Sequence, residues 1–204
     1  MTNHAVHTEH FDRDAGKLGM WIFLFTEMFL FGGLFLVYAV FRSTWSEDFH
    51  HAADELNTFI GTLNTVFLLT SSMTVAMSIT AIQKNERKLA LFLLTVTFIL
   101  AALFLMNKYF EWSHEFEYSV FPGSPVVKNM PHGELLFISL YFLMTGLHAI
   151  HVIIGMVLLS ICTIKIKKNR IDKDSYLLLE NSGLYWHLVD LIWIFLFPLL
   201  YLIT

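Results

Sequence analysis

Five long apolar stretches divide the chain, with shorter polar segments between them. Leu18 to Phe41 is interrupted only by Glu27; Leu56 to Gln83, Leu89 to Met106 and Leu135 to Ile164 carry no charged residue; Gly183 to Thr204 carries only Asp190. At about 1.5 Å of rise per helical residue, each stretch covers all or nearly all of a hydrocarbon core about 30 Å thick. Because no water is available there, a spanning backbone must satisfy its own hydrogen bonds. The pattern therefore predicts an all-α integral membrane protein, with five transmembrane helices in one bundle. The third connection, Glu111 to Glu134, contains Phe121, Pro122, Gly123, Ser124 and Pro125, a turn-forming segment long enough to fold over one end of the bundle. No repeat or linker divides the chain. The expected organisation is a polar tail over 1–17, followed by one membrane domain over 18–204.

Charge sets the orientation. Arg13, Lys17, Lys84, Arg87, Lys88, Lys165, Lys167, Lys168, Arg170 and Lys173 fall on one side, and Arg42, Lys108 and Lys128 on the other, so ten basic residues oppose three. The excess places the N-terminus inside and the C-terminus outside. Trp21 and Trp186 near one set of helix ends, and Trp45, Tyr109 and Trp112 near the other, are expected as interfacial anchors.

Composition agrees with a bilayer protein: 204 residues, 56% hydrophobic, mean hydropathy +0.60. A net charge of −4 without a long basic run gives no footprint for nucleic acid. Cys162 is the single cysteine, which excludes an internal disulfide and a thiolate cluster; in its apolar run it is expected to pack inertly. The N-terminal segment lacks the pattern of a cleavable signal. Its His4, His7 and His10, with Asp12 and Asp14, could capture a metal, but a solvated tail gives such ligands no fixed frame.

The intramembrane polar residues carry the candidate chemistry. A lone carboxylate in hydrocarbon costs about 2.5–3.5 kcal/mol on insertion scales, so Glu27 and Asp190 are expected to meet polar partners inside the bundle. Counted from the nominal helix ends, the two lie at similar depth, which predicts a shared polar neighbourhood. Glu27 is then either a structural bridge or a proton-exchanging, carbodiimide-reactive acid. His187 and Asp190 share a helix face by their spacing. His148 and His151 count to the middle or opposite half of the bilayer, unless their long helix projects beyond the membrane. Together with His187 they could ligate zinc or haem, yet no HExxH or histidine-rich motif accompanies them, and hydrogen-bonded structural roles are the simpler reading. Asn64 with Thr65, Ser71 and Thr74 on the second helix offer interhelical hydrogen bonds, and Ser72, Ala76 and Thr80 form a small-residue stripe. Gly32, Gly33, Gly146 and Gly155 would permit tight crossings.

Four ordered segments are similar to subunit III of the haem-copper respiratory oxidases, in the five-helix bacterial form. They are LGMWIFLFTEMFLFGGLFLVY from Leu18, LNTVFLLTSSMT from Leu63, TGLHAIHVIIG from Thr145, and the closing helix from Glu180 with Tyr185, Trp186, His187, Asp190 and Trp193. In this resemblance Glu27 takes the position of the family's buried glutamate, and His148 and His151 match its histidine-containing helix. The longer, seven-helix form has two further helices ahead of the glutamate helix and a lipid-filled cleft beside them. That cleft does not carry over intact to this chain.

The resemblance implies a noncatalytic accessory subunit without redox centres of its own, whether or not the chain is counted as part of an enzyme. It would belong to a terminal oxidase of the cytochrome c oxidase type that reduces oxygen to water and translocates protons. Haem and copper are then expected in the catalytic subunit I partner, with subunit II and membrane lipids, phospholipid included, as further partners, in the bacterial inner (plasma) membrane. The role implied is support of proton uptake and of the catalytic subunit's stability during turnover. The same fold would serve a quinol oxidase or the accessory protein of nitric oxide reductase. A stand-alone transporter using Glu27 and Asp190 would predict internal symmetry or a helix broken at mid-membrane, which the sequence does not show.

Overall fold

The computed structural model describes residues 2–173 and 175–202, with side chains from residue 14 onward. Seven helices follow in order: α1 Thr2–Thr44, α2 Ser46–Asp54, α3 Thr58–Gln83, α4 Arg87–Glu117, α5 Pro125–Lys128, α6 His132–Lys167 and α7 Leu177–Tyr201. No strand occurs among the described residues. Five of the helices, over 14–44, 58–83, 87–117, 132–167 and 177–201, are long and apolar enough to cross a membrane, which makes this a multi-pass membrane protein.

Each expected span is present; α1, α4 and α6 extend beyond both expected ends and α7 begins six residues earlier, while α3 begins two residues later and α7 ends three residues earlier. Polar and aromatic residues continue a helix past the edge of its apolar run, because the helix ends where capping chemistry ends it and not where hydropathy falls. The ends of α3, α4 and α6 share one device. Asn85, Ser119 and Asn169 have φ of 62°, 58° and 54°. In each case the next residue donates back across the turn: Glu86 N to Ala81 O at 2.8 Å, Val120 N to Glu115 O at 2.8 Å and Arg170 N to Lys165 O at 2.9 Å. These are Schellman closures, with asparagine taking the left-handed position twice. The start of α3 is capped by Asn57 Oδ1, which accepts from Phe59 N at 3.1 Å and Ile60 N at 3.2 Å. Asp48, on α2, accepts from Gly133 N at 3.0 Å and so caps α6 from a different element. A Cβ at Gly133 would lie 2.5 Å from that same Asp48 oxygen, so only glycine admits the cap. Tyr38 OH donates to Leu199 O at 2.6 Å, and Thr58 Oγ1 to Tyr201 O at 3.3 Å, satisfying carbonyls at the end of α7.

The bundle is built around α7. It packs against α6, α3 and α1, while α3 lies along α4. In its apolar window 56% of residues are buried, against 11% for α1, so α7 is the hub and α1 an outer stave. Exposed Leu18, Trp21, Phe25, Phe29 and Leu36 along α1 suit a lipid or protein neighbour of equal apolarity.

Three expectations change here. Trp186 is fully buried and donates from Nε1 to Ser71 Oγ at 3.0 Å, so it is a core wedge and not an interfacial anchor. Ala76 and Thr80 are exposed, and the inward face of α3 is instead Gly61, Asn64, Leu68, Ser71, Val75 and Ser78. Lys108 is buried inside α4 and is no loop cation.

Candidate functional site

Two buried polar centres occupy the bundle. The first joins α1 to α6. His151 Nε2 lies 3.0 Å from Glu27 Oε2, with side-chain exposures of 10% and 15%. His151 Nδ1 lies 2.7 Å from Leu147 O, one turn back on its own helix. A carbonyl only accepts, so Nδ1 carries a hydrogen, and the contact between Nε2 and Glu27 then contains one further proton. Whether that proton rests on the carboxyl or on the imidazole, the pair is neutral as a whole, which removes the cost of an isolated charge in hydrocarbon. Phe31 meets the imidazole edge-on at 5.3 Å between centroids, and Tyr185 stacks at 6.4 Å and donates from its hydroxyl to His151 O at 3.3 Å.

The bond from Asn181 Nδ2 to Gly16 O at 3.4 Å and the Lys17–Glu180 pair at 3.3 Å fix α1 and α7 in parallel register. Ten residues further along each helix stand Glu27 and Asp190, so the two are level, about 15 Å deeper. They face different neighbours, however. Glu27 turns to α6, while Asp190 is 3% exposed and neither of its oxygens has a hydrogen-bond partner among the described residues. Ser72 lies toward Asp190, and its hydroxyl also meets His187 Nδ1 at 2.6 Å. His151 reaches the level of Glu27 because α6 continues to Lys167, past the Lys17–Glu180 level. This is the projecting-helix case.

The remaining sequence candidates divide between packing and open space. His148 is fully buried between Phe104 and Trp193, with centroid distances of 5.6 and 5.2 Å, and neither ring nitrogen has a hydrogen-bond partner among the described residues. Asn64 Oδ1 accepts from Asn107 at 2.9 Å, and Thr74 and Thr97 hydroxyls meet at 2.7 Å, tying α3 to α4. Ser71 and Ser72 tie α3 to α7 through Trp186 and His187. At Gly155 a Cβ would lie 2.7 Å from the Trp186 ring, whereas at Gly32 and Gly33 it would meet nothing within 4 Å, so that pair forms no tight crossing within this chain. His4, His7 and His10 lie outside the described side chains. Among the described residues no three His, Cys, Asp or Glu side chains are grouped to hold a metal ion.

The second centre was not read from the sequence. Lys108 Nζ donates to Glu111 Oε1 at 3.1 Å, Tyr141 OH at 3.1 Å and Tyr201 OH at 2.8 Å, using all three ammonium hydrogens. Both tyrosine hydroxyls in turn donate to Glu111 Oε1. The ammonium also lies 4.9 Å from the Tyr141 ring centroid and 5.6 Å from that of Trp193. Lys108 and Glu111 stand at helical spacing on α4. Their tyrosine partners lie about thirty and ninety residues away and only the fold brings them there.

A five-span helical bundle with two buried polar centres that join its helices defines an integral membrane protein locked by interhelical hydrogen bonds. The family model described as cytochrome c oxidase subunit III matches residues 1–204, and the chain belongs to that family. It is 30% identical over 201 residues to cytochrome c oxidase subunit 3 of Thermostichus vulcanus, covering 98% of this chain and 93% of that one. It is 29% identical over 190 residues to a probable quinol oxidase subunit 3 of Staphylococcus saprophyticus, covering 93% and 90%. A chain of Aeropyrum pernix described as haem-copper oxidase subunit I+III is 25% identical over 209 residues, covering 97% of this chain and 24% of that one. The relatives agree with an accessory oxidase subunit.

Proposed function

We propose that this chain is the noncatalytic subunit III of a terminal respiratory oxidase of the cytochrome c oxidase type, held against a haem-copper subunit I that reduces oxygen to water and translocates protons. The observation that carries the reading is the fused archaeal relative, in which a segment matching nearly all of this chain shares one polypeptide with a subunit I. Covalent fusion of two chains keeps at full occupancy a contact that separate subunits must form by association. Haem and copper belong to the partner, subunit II is a further neighbour, and the site is the bacterial inner membrane. The division is a polar segment over 1–17 ahead of a membrane domain over 18–204, with the N-terminus inside, as the excess of basic residues at that end of the bundle favours.

Within this assembly the Glu27–His151 pair holds a proton beside the partner and supports its proton uptake, while His187 anchors α7 to α3 through Ser72, and His148 and Asp190 are buried polar groups of the bundle. Affinity purification through a tag on this chain tests the whole reading. A haem-bearing subunit is expected to copurify, and removal of the chain should leave haem content intact while turnover decays. Isolation of the chain alone, or loss of the haem spectrum from an otherwise assembled complex, would count against it. A second reading, supported by the staphylococcal relative, feeds the complex from quinol. Turnover of the same preparation with reduced cytochrome c against a quinol separates the two donors. Cysteines placed at Gly123 and at Lys168, labelled from outside intact cells, test orientation; labelling at Lys168 and not at Gly123 would reverse it.

A further inference from the structure

Beside α3 the hub helix α7 is left partly uncovered along Leu184, His187 and Leu191, which follow one another at helical spacing. Seven residues beyond Glu180, His187 stands about 10 Å into the membrane from that end. Its Nδ1 meets Ser72 Oγ at 2.6 Å, but the imidazole is only half-buried and Nε2 has no hydrogen-bond partner among the described residues. Other polar side chains on the outside of the bundle are answered locally: Thr26 donates to Phe23 O at 2.7 Å, Thr62 to Thr58 O at 2.8 Å and Thr95 to Leu91 O at 2.8 Å. Lipid tails strip nothing from those hydroxyls, whereas they offer nothing to His187.

The proton count fixes what the free nitrogen needs. Asp190 is 3% exposed, its carboxyl oxygens have no hydrogen-bond partner among the described residues, and Ser72 lies toward it. An ionised Asp190 requires His187 to be the imidazolium, because an isolated charge in hydrocarbon is costly. A neutral Asp190 is a carboxyl that donates toward Ser72, whose own hydrogen then goes to His187 Nδ1. In both arrangements Nε2 carries a hydrogen, so the missing group is an acceptor. The adjoining rim of α3 is shaped for a helix. Ser72, Ala76 and Thr80 form a row of small side chains in which Ala76 and Thr80 are exposed, flanked by Leu69, Met73 and Met77, also exposed. Packing inside this chain uses a different face of α3, through Asn64, Ser71 and Ser78. Small residues four apart let two backbones approach closely, and flexible methionines adapt to an incoming surface.

We propose that the α3–α7 face docks a transmembrane helix of the haem-copper partner subunit, with the small-residue row against its backbone and His187 Nε2 donating to one of its oxygen acceptors. The inference rests on the assignment to an oxidase, from which it takes the identity of the partner. The outward face of α1 is the rival surface, but Phe25, Phe29 and Leu36 there are satisfied by lipid and demand no partner. An uncovered imidazole N–H at this depth does demand one, since the hydrocarbon supplies no acceptor.

The test places a photo-crosslinking amino acid at Met73 or Leu191 of the tagged full-length chain, and for comparison at Phe29, Ile99 or Ile153, exposed on α1, α4 and α6. After irradiation in the membrane and purification of the complex, a haem-bearing subunit is expected to be crosslinked from Met73 and Leu191 and not from the other three. Ala76→Trp, at an exposed position, should release that subunit while the buried Cys162 stays as slow to alkylate as in wild type. His187→Leu should speed its dissociation in detergent by about three- to eighteen-fold, the range for one interhelical hydrogen bond. His187→Gln, whose amide restores a donor, should recover most of that loss. Should His187→Leu make Cys162 reactive, the crosslinks and Ala76→Trp decide alone. Crosslinks from Met73 and Leu191 only to lipid or to a second copy of this chain, or an Ala76→Trp complex as stable as wild type, would overturn the proposal. A haem-bearing subunit that copurifies but is crosslinked from Phe29, Ile99 or Ile153 instead would overturn the docking face and leave the oxidase reading standing. A preparation without any haem-bearing subunit would overturn both.

Discussion

Replacing Lys108 by methionine isolates the energetics of the second polar centre, because methionine preserves most of the stem volume and removes the ammonium. The charge is 3% exposed and Glu111 is 6% exposed, so solvent offers neither a substitute partner. In K108M the carboxylate keeps the hydroxyls of Tyr141 and Tyr201 but loses its counter-charge, and breaking a buried pair from one side costs about 3–5 kcal/mol. A K108M/E111L double variant removes the stranded charge and should recover most of that loss, since replacing both members of a buried pair with apolar side chains is often close to neutral. Cys162 supplies the assay. It is the only cysteine of the chain, fully buried against Ser182 at 3.4 Å and Leu178 O at 3.8 Å. Its alkylation by a fluorescent maleimide in the intact complex, read on the separated chain by gel, therefore reports opening of the bundle. When opening precedes alkylation, 3–5 kcal/mol corresponds to acceleration by roughly two to three and a half orders of magnitude. An acceleration in K108M below about five-fold, or a double variant that opens faster than the single, would refute the view that Lys108 and Glu111 act as a buried ion pair.

The first centre makes a chemical prediction. Glu27, 3.0 Å from His151 in an apolar surrounding, should be the residue modified by a hydrophobic carbodiimide, and Glu27→Gln should abolish the label; modification elsewhere with Glu27 untouched would reject the proposed proton-holding role. Gly155→Val should destabilise by about 1–3 kcal/mol through overpacking, because Trp186 stands 2.7 Å from the new Cβ and is held by Ser71. The Cys162 assay reads that effect, and Gly32→Ala, which meets nothing within 4 Å, should leave the same rate unchanged. Tyr38→Phe removes one hydrogen bond to Leu199 O and should cost about 0.5–1.5 kcal/mol, read as at most about a ten-fold acceleration.

Hydropathy and its interruptions determined the number of spans and the single all-α bundle, because the bilayer leaves the backbone few alternatives. Residue identity at fixed spacing marked Glu27, His151, Asn64 and Ser71 as polar groups that must be matched inside it. Even the depth of Glu27 relative to Asp190 was legible, since helical rise is constant. What the linear pattern could not supply was azimuth and partner. Whether Glu27 faces Asp190 or His151 depends on the rotation of α1 about its axis, set by the packing of Phe31 and Tyr38 against α6 and α7. Trp186, near an end of an apolar run, reads as an anchor until Gly155 and Ser71 are seen to receive it. Lys108 reads as a loop cation because its neutralising groups come from α4, α6 and α7, which only tertiary packing brings within 3.1 Å of its nitrogen. A charge is tolerable in hydrocarbon only when every hydrogen finds an acceptor, and that matching is a property of the folded bundle, not of any one helix.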